Sequence, residues 1–313
     1  MRELLRTNDP VRLSWLTALL ADQQIEAFVL DTHTSILEGS AGAIPRRLLV
    51  SDEDFDAANR LLAEAGEIEN AEPRPDSLLG GKVELRQPSD GYRAAIDPVL
   101  LAAATPAISG TVLDVGAGVG AAALCYATRV PGARVTGLEL QPELATLAME
   151  NAARNGLADR VTFFQGDLLD PPEGVAEASF DHIMSNPPYL PPDRGQAPPD
   201  PSKAAAMVEG EADLSAWIDF CIRMVKPKGC VTMVHRADRL DELMALLHVR
   251  AGGIVVVPLW PGGDRPAKRV ILRARRDVRT PLRLTTGLTL HSELGGYTKE
   301  ALAILRDGDS MAV

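Results

Sequence analysis

The chain has 313 residues, of which 46% are hydrophobic and 24% are charged, a balance typical of a globular protein with a substantial core. The net charge of −11 excludes a protein coated in basic surface for nucleic acid, although phosphate contact needs only a local cluster of Lys and Arg. No apolar run is long enough for a bilayer span, no signal-peptide pattern is present, and the three cysteines have no metal-ligand spacing. These features predict a cytoplasmic protein without a membrane anchor or a bound metal.

Residues 1–66 have the pattern of a small α/β domain. Three short apolar stretches predict strands at Glu3–Arg6, Ile25–Leu30 and Arg47–Val50. Asp9-Pro10 predicts the start of one helix, and Ser51, with Asp54 three residues later, predicts the start of a second. Two helices on a small sheet favour a ferredoxin-like unit.

The same stretch resembles a small prokaryotic domain with similarity to signal-transducing proteins. The resemblance rests on Thr7-Asn8-Asp9-Pro10, Asp31–Ser35 and Pro45–Val50. It implies a regulatory domain with no known chemistry of its own.

Residues 67–80 are expected to form a linker, because Glu67–Asp76 is acidic, contains two prolines and carries few apolar side chains. Residues 81–313 then alternate between strand-like and helical patterns. This alternation predicts a mostly parallel, doubly wound sheet. Seven strands are expected, at Val112–Val115, Arg134–Leu138, Val161–Phe164, Phe180–Met184, Cys230–Val234, Gly253–Val257 and Arg269–Arg273.

A glycine-rich turn, Gly116 to Gly120, follows the first of these strands and precedes a helix. Glycines allow the backbone to bend sharply and to approach a ligand without a Cβ clash. The pattern is also compatible with a nicotinamide dinucleotide site, because Glu139 ends the second strand, where a ribose-binding acid belongs. The turn alone therefore leaves two cofactor classes open.

Acidic residues at the ends of three successive strands favour S-adenosylmethionine. Asp114 precedes the first glycine, and a carboxylate suits a ligand that carries an ammonium and a sulfonium rather than a pyrophosphate. Glu139 is expected to bind the ribose hydroxyls, and Asp167 beside Leu168 is placed to accept a hydrogen bond from the adenine amine. With Gly116 and Gly118, these residues form the predicted cofactor site, in the crevice where doubly wound sheets bind ligands.

The tetrapeptide Asn186-Pro187-Pro188-Tyr189 follows the fourth strand. An amide or exocyclic amine nitrogen is a poor nucleophile because its lone pair is delocalised. The Asn186 oxygen and the Pro187 carbonyl can accept hydrogen bonds from both N–H groups of such a nitrogen and aim its lone pair at a methyl group. The prolines fix φ, and Tyr189 offers a face on which a flipped base can stack.

At these residues the chain resembles the amino-methyltransferases with an Asp/Asn-Pro-Pro-Tyr motif, which implies a Rossmann-like class I methyltransferase fold. That family modifies either adenine in nucleic acid or a glutamine side chain in release factors. The entry segment, Gln87–Leu101, and the downstream run through Gly296–Leu302 resemble bacterial tRNA adenine methyltransferases. The resemblance implies an RNA partner, most simply tRNA, with release-factor glutamine methylation and a non-catalytic cofactor-sensing or RNA-binding module as alternatives.

Four basic residues are candidate contacts with the substrate backbone: Arg93, Lys203, Arg236 and Arg269. The stretch from Arg265 to Arg283 contains eight basic residues and one acidic residue. It fits either an RNA-binding surface or the solvated face of an edge strand. The proline-rich segment Leu190–Glu211 is long enough to form a lid over the substrate or to be a simple connection.

Overall fold

The computed structural model describes residues 2–7, 9–23, 25–30, 46–52, 54–65, 67, 76–88, 94–189, 212–262, 264–292 and 296–313. The chain divides into two compact units, Met1–Arg74 and Pro75–Val313. Each has its own hydrophobic core.

The first unit places two helices on a small antiparallel sheet. Its described elements are β1 (Arg2–Thr7), α1 (Pro10–Asp22), β2 (Ala27–Leu30), β3 (Arg46–Val50) and α2 (Phe55–Glu64). Strand β3 lies between β1 and β2 and is antiparallel to both. This is the arrangement of the first five elements of a ferredoxin-like unit.

Capping side chains and an apolar face explain the helices of this unit. Asp9 Oδ1 accepts a hydrogen bond from the Arg12 N–H at 3.2 Å, and the Ser51 hydroxyl accepts one from the Asp54 N–H at 3.0 Å. Each cap satisfies a backbone donor that the first helical turn leaves unpaired. The apolar side chains then form the core of the unit, made of Leu13, Leu16, Leu20, Ile25, Leu48, Val50, Ala58 and Leu62.

The second unit is an α/β domain with one large sheet. Its helices are α3 (Asp97–Ala104), α4 (Ala121–Arg129), α5 (Pro142–Arg154), α6 (Leu214–Met224), α7 (Leu240–His248) and α8 (Lys299–Leu302). Its strands are β4 (Asp76–Leu78), β5 (Val83–Leu85), β6 (Thr111–Val115), β7 (Arg134–Glu139), β8 (Val161–Gln165), β9 (Phe180–Ser185), β10 (Val225–Arg236), β11 (Ala251–Trp260), β12 (Arg269–Arg276), β13 (Arg283–Leu284) and β14 (Leu288–Thr289).

The strand order of the large sheet is β8-β7-β6-β9-β10-β12-β11, with the two-residue strands β13 and β14 on β11. The five strands from β8 to β10 pair in parallel, and β12 is antiparallel to both of its neighbours. The seven expected strands are therefore present, and the mostly parallel α/β fold is confirmed. The sheet gains only the two short edge strands, which are too brief to leave a periodic signal in the sequence.

Helices cover both faces of the sheet, as a doubly wound fold requires. Residues of α3, α4 and α5 pack against one face, and residues of α6 and α7 pack against the other. The central parallel strands β6, β7 and β9 are consequently buried along most of their length, whereas the edge strand β8 alternates between buried and exposed residues.

A small hairpin occupies the end of the expected linker. Strands β4 and β5 pair antiparallel, from Asp76↔Leu85 to Leu78↔Val83. Residues 76–80 thus belong to the structured second unit, although the sequence predicts a linker up to residue 80. Leu79, Val83 and Leu85 are buried in the core of this unit, and so short an apolar pattern is too brief to distinguish a hairpin from a connection.

Candidate active site

A cavity of about 500 Å³ lies at the carboxyl ends of β6, β7, β8 and β9. The chain runs from β6 to β7 on one side and reaches β9 on the other, so the connections diverge here and leave a crevice. All of the catalytic and cofactor-binding residues predicted from the sequence line this cavity. They are Asp114, Gly116, Gly118, Glu139, Asp167, Leu168, Asn186, Pro187, Pro188 and Tyr189.

The turn between β6 and α4 requires glycine for two reasons. Gly116 and Gly118 have φ values of 71° and 56°, in the left-handed region that residues with a Cβ disfavour. A Cβ on Gly116 would also lie 2.6 Å from the ring of Trp217. The N–H groups of Gly116 and Ala117 donate to the Leu138 carbonyl at 2.9 and 3.0 Å. The turn is thereby tied to β7 and presents its backbone to the cavity.

Glu139 is held in place by backbone donors at the end of β7. Its carboxylate accepts hydrogen bonds from the Gly118 N–H at 2.8 Å and from the Gln141 N–H at 2.9 Å. The side chain is only 6% exposed, and burial raises its pKa while the backbone donors oppose that rise. Each oxygen retains a lone pair, so the group can accept from the two adjacent hydroxyls of a ribose.

Asp114 is more deeply enclosed than the other acids. It is 2% exposed, and its Oδ2 accepts a hydrogen bond from the Ala123 N–H at 3.1 Å, in the first turn of α4. Burial raises the pKa of Asp114 to about 7, and the nearby Glu139 adds to the rise. A cationic group in the cavity would favour the ionised carboxylate, because an opposite charge at short range stabilises it.

Asp167 and Leu168 complete the cofactor side of the cavity after β8. One carboxylate oxygen of Asp167 accepts a hydrogen bond from the Leu169 N–H at 2.9 Å, which fixes the side chain in a local turn. Leu168 is buried. The pair therefore presents one polar and one apolar surface, a combination that suits the edge and face of a planar base.

Asn186 follows β9 at a point next to the glycine turn. The preceding residue, Ser185, is the last of β9 and pairs with Val115, the last of β6. The Ser185 hydroxyl donates to the Val115 carbonyl at 2.9 Å, which ties the two strand ends together. Pro187 and Pro188 then restrict the backbone as it leaves the sheet.

Tyr189 is held by its hydroxyl and by its ring. The hydroxyl donates to Asn186 Oδ1 and lies 3.1 Å from Asp97 Oδ2. The ring meets the imidazole of His235 edge to face, with centroids 5.4 Å apart. His235 is fully buried, and burial lowers its pKa to about 4, so the imidazole is neutral at physiological pH.

Asp97 and Arg269 form an ion pair in the cavity wall. Asp97 begins α3 and is 4% exposed, and Arg269 Nε lies 2.5 Å from its Oδ2. Burial raises the pKa of Asp97, and the charge of Arg269 opposes the rise. No role for Asp97 is predicted from the sequence. The available signal was a single acid in the apolar stretch Ala94–Ala104, where a buried carboxyl needs a partner.

Two of the four residues predicted to contact the substrate backbone lie among the described residues, where Arg236 and Arg269 are register partners across β10 and β12. Arg93, Lys203 and the possible lid, residues 190–211, lie outside the described residues. Arg236 is the last residue of β10, is half-buried, and donates to Asp238 at 2.8 Å. Arg269 lines the cavity but its guanidinium is paired with Asp97.

The arginine-rich strand β12 is not an edge strand. It lies between β10 and β11, so the edge-strand interpretation of the basic stretch is wrong. Arg275 donates to the Lys228 carbonyl, and Arg276 donates to three carbonyls near the end of α6. Arg269 pairs with Arg236, at the end of the strands that faces the cavity, and Arg275 pairs with Cys230 at the other end. Arg275 and Arg276 therefore lie at the end of the sheet that is far from the cavity. An arginine that caps backbone carbonyls gives the same alternating pattern as one that faces solvent.

Among the described residues, no group of three or more His, Cys, Asp and Glu side chains is placed to hold a metal ion. Within the same residues, no helix is long and apolar enough to cross a membrane.

Comparison with known families identifies two segments of the chain. Residues 1–66 match the family described as "Putative prokaryotic signal transducing protein". Residues 112–197 match a methyltransferase domain. The second match covers the glycine turn, all three acids and the tetrapeptide.

A curated relative decides the family. The chain is 30% identical over 214 residues to the tRNA1(Val) (adenine(37)-N6)-methyltransferase of Aeromonas hydrophila, an alignment that covers 66% of this chain and 85% of that enzyme. The chain belongs to this methyltransferase family. The nicotinamide site that the glycine turn left open is therefore set aside, and the cofactor of the family is S-adenosylmethionine.

Further relatives and one solved structure are also similar to this chain. The chain is 49% identical over 171 residues to the release factor glutamine methyltransferase of Deinococcus radiodurans, covering 53% of this chain and 58% of that enzyme. It spans 65% and 66% of the length of two further tRNA1(Val) relatives. A solved structure from Agrobacterium tumefaciens, described as a predicted O-methyltransferase, is similar in fold, with a TM-score of 0.57 and 21% identity over 69% of this chain and 99% of that one.

The residues around the cavity fit this cofactor. The turn at Gly116 has no space for a Cβ, Glu139 retains acceptors for a diol, and Asp114 is poised to ionise beside a cation. One continuous cavity therefore contains groups suited to the ribose, the adenine and the aminoacyl part of the cofactor.

Proposed function

We propose that this protein transfers the methyl group of S-adenosylmethionine to the exocyclic amine of an adenine in RNA, with tRNA as the substrate. The observation that carries the proposal is the position of Asn186-Pro187-Pro188-Tyr189, in the same cavity as the glycine turn and its acids. A reaction on tRNA would take place in the cytoplasm.

The predicted roles of the cavity residues follow from their positions. Gly116, Gly118, Glu139, Asp114 and Asp167 would hold the cofactor, which supplies an electrophilic methyl group when bound. A turn tied to β7 and an acid held by two backbone donors would keep that methyl group in one place without reorganisation during the reaction.

The tetrapeptide would orient the amine nitrogen of the substrate for methyl transfer. Asn186 Oδ1 and the Pro187 carbonyl would accept hydrogen bonds from the two N–H groups of the amine and orient its lone pair. Tyr189 would stack on the base after it leaves the RNA helix. This is catalysis by positioning, and no residue forms a covalent bond with the substrate.

The choice of RNA over protein rests on the extent of the family relationship. The alignment with the tRNA1(Val) relative extends over 214 residues and covers 85% of that enzyme, whereas 58% of the release-factor relative is covered. The release-factor relative aligns over 171 residues at higher identity, and it supports glutamine methylation of a protein as the second candidate.

The test is transfer of labelled methyl groups from S-adenosylmethionine to total tRNA and, in a parallel reaction, to a purified release factor. Label in tRNA is expected, and Asn186→Ala should lower kcat about 100-fold or more, the usual effect of removing one preorganised hydrogen-bonding group. Asn59→Ala, an asparagine change in α2 of the first unit, is the matched control.

Label in the release factor alone would establish the second candidate. Cofactor binding without transfer to either substrate would indicate a non-catalytic module. Full activity of Asn186→Ala would rule out the proposed role of the tetrapeptide.

For residues 1–66 we propose a separate regulatory domain, joined by a linker to the methyltransferase domain, whose first described element is β4 at Asp76. The family match to signal-transducing proteins supports this assignment.

A further inference from the structure

Four polar side chains from three distant parts of the sequence meet at one end of the cavity. Asp97 comes from the start of α3, Arg269 from the start of β12, and Asn186 and Tyr189 from the exit of β9. The Asp97 carboxylate contacts both the Arg269 guanidinium, at 2.5 Å, and the Tyr189 hydroxyl, at 3.1 Å. The Tyr189 hydroxyl in turn donates to Asn186 Oδ1.

The amide of Asn186 needs such a support because its two ends have nearly the same shape. The oxygen accepts hydrogen bonds, whereas the NH₂ group only donates them. An amine substrate presents N–H donors, so only the orientation with the oxygen toward the substrate is productive. A tyrosine hydroxyl can donate or accept, and it cannot select this orientation without a further partner.

Arg269 determines the direction in which the Tyr189 hydroxyl donates its proton. The positive guanidinium is held on the Asp97 carboxylate that the tyrosine hydroxyl also contacts, and a positive charge there favours the hydroxyl orientation whose proton points away from it. The ion pair of Arg269 with Asp97 also weakens the carboxylate as a competing acceptor for the tyrosine proton. That proton is then left for Asn186 Oδ1, which is the closer of the two acceptors around the hydroxyl.

We propose that Asp97 and Arg269 are positioning residues, which act through Tyr189 to hold the Asn186 amide with its oxygen available to the methyl-accepting amine. This inference rests on the proposed function. It replaces the phosphate contact that the sequence suggested for Arg269, and the two roles differ in their kinetics.

The experiment compares the steady-state methylation of tRNA by the wild type and by Asp97→Asn, Tyr189→Phe and Arg269→Met. Each variant is expected to lower kcat about 10- to 100-fold, while KM for tRNA and the Kd for S-adenosylmethionine stay within about twofold. The double variant Asp97→Asn/Arg269→Met should be no slower than the slower single variant, because the residues act through one chain of contacts. Arg269→Lys keeps the charge and should recover part of the loss. Arg134→Met, at the far end of β7, is the control.

A phosphate contact would behave differently. Arg269→Met would then raise KM for tRNA with kcat unchanged and would reduce the dependence of binding on salt. Either that result or full additivity in the double variant would overturn the inference. A variant that loses cofactor affinity and kcat together, with no recovery in Arg269→Lys, would show a purely structural role and overturn it as well. A wild type that transfers no methyl group to tRNA would remove the proposed function itself, and the inference with it.

Discussion

A buried carboxyl group such as that of Asp114 loses its hydration and is stable only if it is neutral or paired. Its one described backbone donor, the Ala123 N–H, offsets part of this loss. The folded-state pKa of about 7 lies above the ordinary aspartate pKa of 3.8, so the protonated form is favoured on folding. The stabilisation from this group is therefore complete below pH 3.8 and is lost as the pH rises through 7.

This shift predicts opposite effects of pH on stability and on cofactor affinity. Between pH 6 and pH 8 the cofactor-free protein should lose thermal stability. Affinity for S-adenosylmethionine should rise about tenfold over the same range, because the cation binds best to the ionised carboxylate. Calorimetric titrations and melting curves at pH 6, 7 and 8 measure both quantities.

Asp114→Asn is the matched control for this experiment, since an amide keeps the acceptor for Ala123 and cannot ionise. Its melting temperature and its weakened affinity should both change little between pH 6 and pH 8. An unchanged pH dependence in Asp114→Asn would assign the effect to another group.

At the scale of elements, the turn between β6 and α4 sets the shape of the cofactor site. We expect Gly116→Ala to destabilise the fold by more than the cost of about 1 kcal/mol for a Cβ at positive φ, because the added methyl group also meets Trp217 at 2.6 Å. Affinity for S-adenosylmethionine should fall at least tenfold, as measured by calorimetry.

Gly156→Ala separates the two causes. Gly156 follows α5 with a φ of 65°, and a Cβ there would have no described neighbour within 4 Å. This variant should show only the backbone strain and full cofactor affinity. Equal loss of stability in both variants would mean that the contact with Trp217 is unimportant.

The sequence was sufficient to locate the strands and the ends where chemistry occurs. Apolar runs in the sequence predict strands β6 to β12. Gly116, Glu139 and Asn186 each follow the end of such a run, so the sequence alone places them at the ends of strands. Partners distant in sequence could not be found in this way. Asp97 meets Tyr189 across 92 residues, and nothing near Arg269 indicates that its partner is an acid rather than a phosphate.

At the scale of the whole molecule, every residue of the cavity wall belongs to the unit Pro75–Val313. A fragment of residues 75–313 should therefore bind S-adenosylmethionine with an affinity within about twofold of the full chain, as titration calorimetry can measure. The isolated first unit should not bind it. A much weaker fragment, still folded by circular dichroism, would show that residues 1–74 contribute to the site.

The contact of Trp217 with the glycine turn gives the protein an intrinsic optical reporter. The chain has three tryptophans, and Trp217 lines the cavity, whereas Trp15 belongs to the first unit and Trp260 ends β11. The emission of an indole depends on the polarity and mobility of its surroundings. Entry of a ligand beside Trp217 should therefore change the fluorescence without any attached dye, and Trp217→Phe should abolish the signal. Binding of a ligand at this site can then be followed in a rapid-mixing fluorescence experiment, without a methyl-transfer assay.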